Sequence, residues 1–158
     1  KLPNNIGEFR VPLGKVETTR DGSDITLVSY GSTWRVVMDA TEKLERAGIS
    51  CEVIDIQTLV PFDLSHDIVE SVKNTNRLLV IDEDVPGGAT AYILQKILEE
   101  QDAYNYLDSE PQTLAAKAHR PPYGADGDYF TKPSSEDVFE KVYEMMNEVN
   151  PTKYPSLY

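Results

Sequence analysis

Apolar positions along the chain change period several times, and each change marks an element. Ile25 to Tyr30 (ITLVSY) is short, β-rich and nearly all apolar, as a buried strand should be. After Gly31-Ser32, Trp34, Val37, Met38, Thr41 and Leu44 recur at three- and four-residue steps, which predicts a helix to Ala47. Asp39–Lys43 and Glu42–Arg46 are spaced as i,i+4 pairs on its wet side, and Gly48 suits the C′ position. Cys51 to Ile56 (CEVIDI) reads as a second strand, with Leu59 to Asp63 as a connector. Asp63 is a candidate N-cap for a helix with Leu64, Ile68, Val69 and Val72 as its stripe. Arg77 to Asp82 (RLLVID) has the continuous apolar run of a central parallel strand. Ala89 to Gln101 predicts a third helix, with Tyr92, Ile93, Ile97 and Leu98 inward, and Gln112 to Ala118 a fourth parallel strand. Ser134 to Asp137 has capping-box spacing. It opens a last helix with Val138, Val142, Met145 and Val149 as its stripe, ended by Asn150-Pro151.

Strand and helix thus alternate four times, the pattern of an α/β fold: an open, mostly parallel twisted sheet with helices on both faces. Upstream, residues 1–15 are punctuated by Asn, Gly and Pro and read as an arm. Val16 to Thr19 is a candidate short strand. Asp21-Gly22 is a turn signal that suggests a hairpin with the strand at 25, and one antiparallel edge strand is allowed for. The expected division is an arm over 1–22, an α/β domain over 23–150 and a tail over 151–158.

Charge narrows the function. Fifteen basic against 27 acidic residues give a net charge of −12, the wrong sign for nucleic acid or an anionic membrane surface. Residues 1–20 carry +2, and 99–110 hold five acids and no base. No apolar run approaches the ~20 residues that span a bilayer, and the start has no apolar signal segment. A cytoplasmic location is expected. The chain does not open on Met and reads as a fragment of a longer protein.

Candidate chemistry is sparse. One cysteine, Cys51, excludes an internal disulfide and reads as a small buried hydrophobe. No His/Cys/Asp cluster has metal-ligand spacing. His66 sits in polar sequence with no catalytic neighbour. In open parallel sheets ligands favour the carboxyl ends of strands. Gly31 and Ser32 after the first strand, and Gly87 and Gly88 opening a helix, are candidate anion-binding backbone there. Glu83 and Asp84 just upstream would repel a phosphate, and neither loop has a dinucleotide or P-loop fingerprint. The aromatic residues point elsewhere. Seven of 14 fall in the last 36 positions, several in turn-rich sequence where a lone domain has trouble burying them. His119, Arg120, Pro121, Pro122, Tyr123, Tyr129, Phe130, Tyr154 and Tyr158 are therefore expected at contacts with other chains. Self-association as a C2 dimer, through that surface or through a sheet edge, is expected too.

Three phrases together resemble a known family: Asp24-Ile25-Thr26-Leu27-Val28-Ser29-Tyr30-Gly31, Asp55 to Asp63 (DIQTLVPFD), and Ser71 to Glu83 (SVKNTNRLLVIDE) with Gly87-Gly88. Pro12-Leu13-Gly14-Lys15 adds a matching lead-in. The order resembles the transketolase-like C-terminal domain of thiamine diphosphate-dependent 2-oxoacid dehydrogenases, in the beta subunit or its fused equivalent. Gly87-Gly88 after an acidic strand end favours the branched-chain, 2-oxoisovalerate type over the pyruvate type. The resemblance implies a parent enzyme that decarboxylates a 2-oxoacid on thiamine diphosphate and acylates the lipoyl group of a partner acyltransferase. It also implies that thiamine diphosphate and Mg²⁺ are bound by other domains, so this chain supplies no catalytic, cofactor or metal residue. Its role would be association with the remaining domains and subunits, with the acyltransferase core as a further partner. Two other readings stand beside it: a free-standing flavodoxin-like domain binding a small anion at Gly31 and Gly87, and a regulatory nucleotide site on the assembly domain.

Overall fold

A computed structural model describes residues 4–157. Its five strands are β1 (Glu17–Arg20), β2 (Ile25–Ser29), β3 (Cys51–Asp55), β4 (Leu78–Ile81) and β5 (Gln112–Leu114), in the sheet order β1-β3-β2-β4-β5. β2 to β5 run parallel, and β1 lies antiparallel to β3 at one edge. Helices α1 (Gly31–Arg46) and α5 (Ser135–Val149) pack on one face of the sheet. Helices α2 (Asp67–Thr75) and α3 (Ala89–Gln95) pack on the other. This is the α/β architecture expected from the sequence. A five-residue helix, α4 (Gly127–Thr131), follows β5.

All five residues of β2 are buried, so the strand needs a neighbour on each side and a helix on each face. That requirement decides the topology. The hairpin suggested by Asp21-Gly22 does not form: β3 and β4 flank β2, and the half-exposed β1 goes to the edge beyond β3. Gly22 crosses the backbone of Cys51 so closely that no Cβ would fit. The sheet therefore takes in residues 17–20, where a short strand was expected but which the domain division left in the arm.

The helices face inward slightly differently from their sequence stripes. In α1 the buried set is Thr33, Val37, Ala40, Thr41 and Leu44, while Trp34 is half-buried and donates its Nε1–H to Thr19 Oγ1 at 2.9 Å. The expected i,i+4 pairs give way to contacts between elements: Lys43 pairs with Glu136 at 2.6 Å and Glu45 with Arg20 at 2.9 Å. Leu64 precedes α2 and is 67% exposed. Asp63 does cap α2, from a distance: its two carboxylate oxygens accept from the N–H groups of Asp67 and Ile68, each at 3.0 Å. The third helix ends early and continues as a π-helical turn over Lys96–Glu100. α5 carries the expected capping box between Ser134 and Asp137. Its inward face is Val138, Val142, Met145 and Met146, with Val149 outside.

After Asn150 the chain folds back on itself. Tyr154 is 3% exposed, packs edge-on to Tyr143 at 6.0 Å and donates its O–H to the Gly48 carbonyl at 3.1 Å. Asn147 Nδ2 donates to the Tyr154 carbonyl at 2.6 Å. The start of the expected tail is thus part of the α1/α5 core.

Two outcomes follow from this packing. Tyr154→Ala should destabilise the fold by about 3 kcal/mol in urea unfolding, through loss of a buried ring. Tyr154→Phe should cost about 1 kcal/mol, for the hydrogen bond alone. The second concerns Glu17 and Asp55, which face each other across β1 and β3. Burial and then the Glu17 charge raise the Asp55 carboxyl, against a lowering from the Gln57 N–H. The folded chain thus favours the protonated form, and its stability falls as pH rises through the folded value. Asp55→Asn should stabilise the fold at neutral pH by up to about 1 kcal/mol, with the gain vanishing below about pH 4.

Candidate strand-end cleft and interface surface

The reversal of strand order at β2 places a cleft at the carboxyl ends of β2 and β4, where such sheets commonly bind ligands. It measures about 360 Å³ and is lined by Tyr30, Gly31, Ser32, Thr33, Asp82, Glu83, Asp84 and Lys132. The parallel register of β2 and β4 brings Tyr30 abreast of Asp82, and the phenol donates to Asp82 Oδ2 at 3.1 Å. Asp82 is 2% exposed. Burial, first, and then the charges of Asp82, Asp84 and Glu83 push the Tyr30 hydroxyl up to about 12.

The four anion-site candidates do not converge. Gly31 and Ser32 line the cleft, whereas Gly87 and Gly88 lie outside its lining. Gly88 spends its N–H on the Val85 carbonyl at 3.0 Å, and a Cβ there would run into the Asp84 carboxylate. Asp84 in turn accepts from the Val85 N–H at 2.8 Å. These glycines shape an acidic loop. Lys132 reaches the cleft but is paired with Glu83 at 3.1 Å, so an incoming anion meets three carboxylates and one neutralised cation. The Tyr30–Asp82 contact escaped the sequence reading; the signal was there, since both residues directly follow paired parallel strands.

Among the described residues two carboxylates, Asp63 and Asp82, are buried. Asp63 accepts from two α2 N–H groups and from Gln101 Nε2 at 2.9 Å, and Asp82 Oδ2 accepts from the Tyr30 hydroxyl. Among the described residues no group of three His, Cys, Asp or Glu side chains could hold a metal ion. Cys51 is buried, and its desolvation pushes the thiol up to about 12, against the pull of Arg20.

The interface candidates divide. Tyr123, Tyr129 and Phe130 are 88%, 66% and 55% exposed. His119, Arg120, Pro121 and Pro122 are exposed beside them. The cluster is ordered by cations: Lys117 Nζ sits 3.9 Å from the Phe130 ring centroid, and the Arg120 guanidinium 4.7 Å over Tyr123, whose hydroxyl it also donates to. His119 lies 5.7 Å from Phe130, and its Nδ1 is 2.9 Å from the Arg120 carbonyl. Gly127 permits the return of the loop, because its Cα passes against the Pro122 carbonyl with no room for a side chain. Tyr154 does not belong to this surface; it is a core residue, since α5 and the α1 C-terminus leave a slot that its ring fills. Tyr158 lies outside the described residues.

An open sheet of this strand order, with an acidic strand-end cleft, defines the class. Residues 14–138 match the family described as transketolase, C-terminal domain, and the chain belongs to that family. Its curated relatives include beta subunits. It is 35% identical over 133 residues to the pyruvate dehydrogenase E1 component subunit beta of Rickettsia conorii, covering 84% of this chain and 40% of the relative. It is 31% identical over 142 residues to the mitochondrial 2-oxoisovalerate dehydrogenase subunit beta of Dictyostelium discoideum, covering 89% and 37%. The chain thus spans about 40% of the length of the first of these. Among solved structures, a split-gene transketolase described as an inactive beta4 tetramer superposes with a TM-score of 0.68 at 19% identity, over 89% of this chain and 45% of that one. That likeness supports the fold.

The raised Tyr30 hydroxyl gives a measurable outcome. The phenolate absorbance of wild type minus Tyr30→Phe should titrate near pH 12 in the folded chain, where an ordinary tyrosine titrates near 10. The unfolded chain gives up this proton first, so Tyr30 makes the fold less stable as pH rises from about 10 to about 12. A difference curve centred near 10 would show that the Asp82 contact does not persist.

Proposed function

We propose that this chain is the C-terminal domain of the beta-type subunit of a 2-oxoacid dehydrogenase, and that it serves assembly rather than bond chemistry. The observation that carries the reading is 35% identity over 84% of the chain to a pyruvate dehydrogenase beta subunit. The engagement of both buried carboxylates in the fold supports the second half. On this reading thiamine diphosphate and Mg²⁺ are held by other domains of a cytoplasmic parent enzyme, which decarboxylates the 2-oxoacid and passes the acyl group to a lipoyl acyltransferase. The exposed Tyr123, Tyr129 and Phe130 cluster is the contact surface that such a role requires.

The substrate has two candidates. The branched-chain type, favoured by Gly87-Gly88, is supported by the Dictyostelium relative at 31% identity. The pyruvate type is supported by the higher identity of 35%. Gly88 makes room for Asp84, which weakens it as a substrate marker, and pyruvate is the better supported of the two.

The test is a chimera. Residues 14–157 should replace the corresponding segment of a pyruvate dehydrogenase beta subunit, to be expressed with its alpha subunit. Assembly into the heteromeric enzyme, with measurable 2-oxoacid decarboxylation, is the expected result; a folded chimera that never joins the alpha subunit would overturn the assignment. The chain alone should show no saturable heat with thiamine diphosphate and Mg²⁺ at about 10 μM, and saturation there would overturn the assembly-only role.

A further inference from the structure

From Lys117 to Ala125 every residue is exposed and none is acidic, in a chain whose net charge is −12. Lys117 and Arg120 have no ion-pair partner among the described residues, Asp126 included. The acids of the adjoining loop after β4 are engaged elsewhere. That loop touches this one where the Ala116 N–H donates to the Asp84 carbonyl at 2.9 Å. Yet Glu83 pairs with Lys132 at 3.1 Å, and the Asp84 carboxylate accepts from the Val85 N–H at 2.8 Å. Two cations are thus left uncompensated on an acidic molecule.

They are nevertheless held in place. Lys117 lies over the Phe130 ring and Arg120 over the Tyr123 ring, contacts that fix a cation without neutralising it. The loop that carries them is pinned at several points. The Lys117 N–H donates to the Thr131 carbonyl at 2.9 Å, and the Gly127 N–H to the Gly124 carbonyl at 3.0 Å. Pro121 and Pro122 restrict the backbone between. Charge and ring are therefore displayed on a frame set before any partner arrives, which lowers the ordering cost of binding.

Uncompensated cations call for an anionic partner, and the exposed rings beside them for apolar groups on that same partner. A nucleic acid meets the first demand badly. Its phosphates form a continuous line of charge, and beyond this small patch they meet the carboxylates of the strand-end cleft and a net charge of −12. A short protein segment can confine its carboxylates to the patch and place apolar side chains between them. We propose that the loop from Lys117 to Tyr123, with Phe130, docks an acidic segment of another protein. Carboxylates of that segment meet Lys117 and Arg120, and its apolar or aromatic side chains pack on Tyr123 and Phe130. The proposal rests on the assembly role above and names the chemistry of what is assembled.

The experiment is fluorescence anisotropy with a labelled peptide, Gly-Glu-Asp-Phe-Glu-Glu-Tyr-Asp-Gly, beside its counterpart with every acid replaced by the amide and an oligouridylate of similar length. The acidic peptide should bind the chain with a dissociation constant of about 50 μM in low salt, and at least about threefold more weakly when salt rises to about 300 mM. The double variant Lys117→Gln with Arg120→Gln should weaken it at least about tenfold, and Tyr123→Ser at least about threefold, each variant keeping native circular dichroism. Four results would each overturn the proposal: no saturation by about 500 μM, an amide peptide that binds as well as the acidic one, a double variant that binds as well as wild type, or an oligouridylate that binds more tightly than the peptide. The chimera tests the assignment and the peptide tests this surface, so either can fail while the other stands.

Discussion

The structure depends on one strand being shut off from water on every side. β2 is buried at all five positions. Such a strand must have a hydrogen-bonding neighbour on each edge and a packed layer on each face. β3 and β4 supply the edges, the α1/α5 layer one face and the α2/α3 layer the other. Its one buried hydroxyl on the α2 side, Thr26 Oγ1, is matched by Ser71 Oγ at 2.6 Å and Thr75 Oγ1 at 2.7 Å. A polar group in that position fixes which turn of α2 lies over the strand, because a slip by one turn would leave hydroxyls buried without partners. The same constraint sends β1 to the edge and puts the cleft where the connections from β2 and β4 part.

Much of this was legible in the residues. A short β-rich run such as Ile25 to Ser29 reads as a buried strand, and a capping box such as Ser134 to Asp137 announces its helix. What local pattern could not supply were contacts made at long range. Asp21-Gly22 is a sound turn signal, yet whether a turn closes a hairpin depends on which strand most needs the neighbouring place. Lys43 has Asp39 at i−4, but Glu136 of α5 wins it. Tyr154 looked like a surface ring because Pro and Lys surround it. Its slot exists only once the end of α1 and the face of α5 are assembled. The strand-end site was half legible: Gly31 and Ser32 do line a cleft, but its charge is set by Asp82, Glu83 and Asp84 converging there.

The molecule separates two kinds of polar group. Four of those inside, Asp63, Asp82, Thr26 and Ser71, have hydrogen-bond partners on other elements and hold them together. Those around Lys117 and Arg120 are matched to rings and left charged. A buried carboxylate already committed to backbone N–H groups is poorly placed to exchange protons with a substrate. A cation stacked on an exposed ring is well placed to meet another surface. That division is the physical argument for the assembly role proposed above.

Asp63 has a consequence of its own. One carboxylate closes the start of α2 and, through Gln101, holds the end of the π-helical turn 38 residues later in the chain. Neither segment can open without stripping a buried charge of its donors. Amide protons at the start of α2 and at the end of the α3 layer should therefore exchange with solvent in a single shared opening, although the segments belong to different strand–helix units. Breathing on that side of the sheet is collective, and it is set by a single side chain.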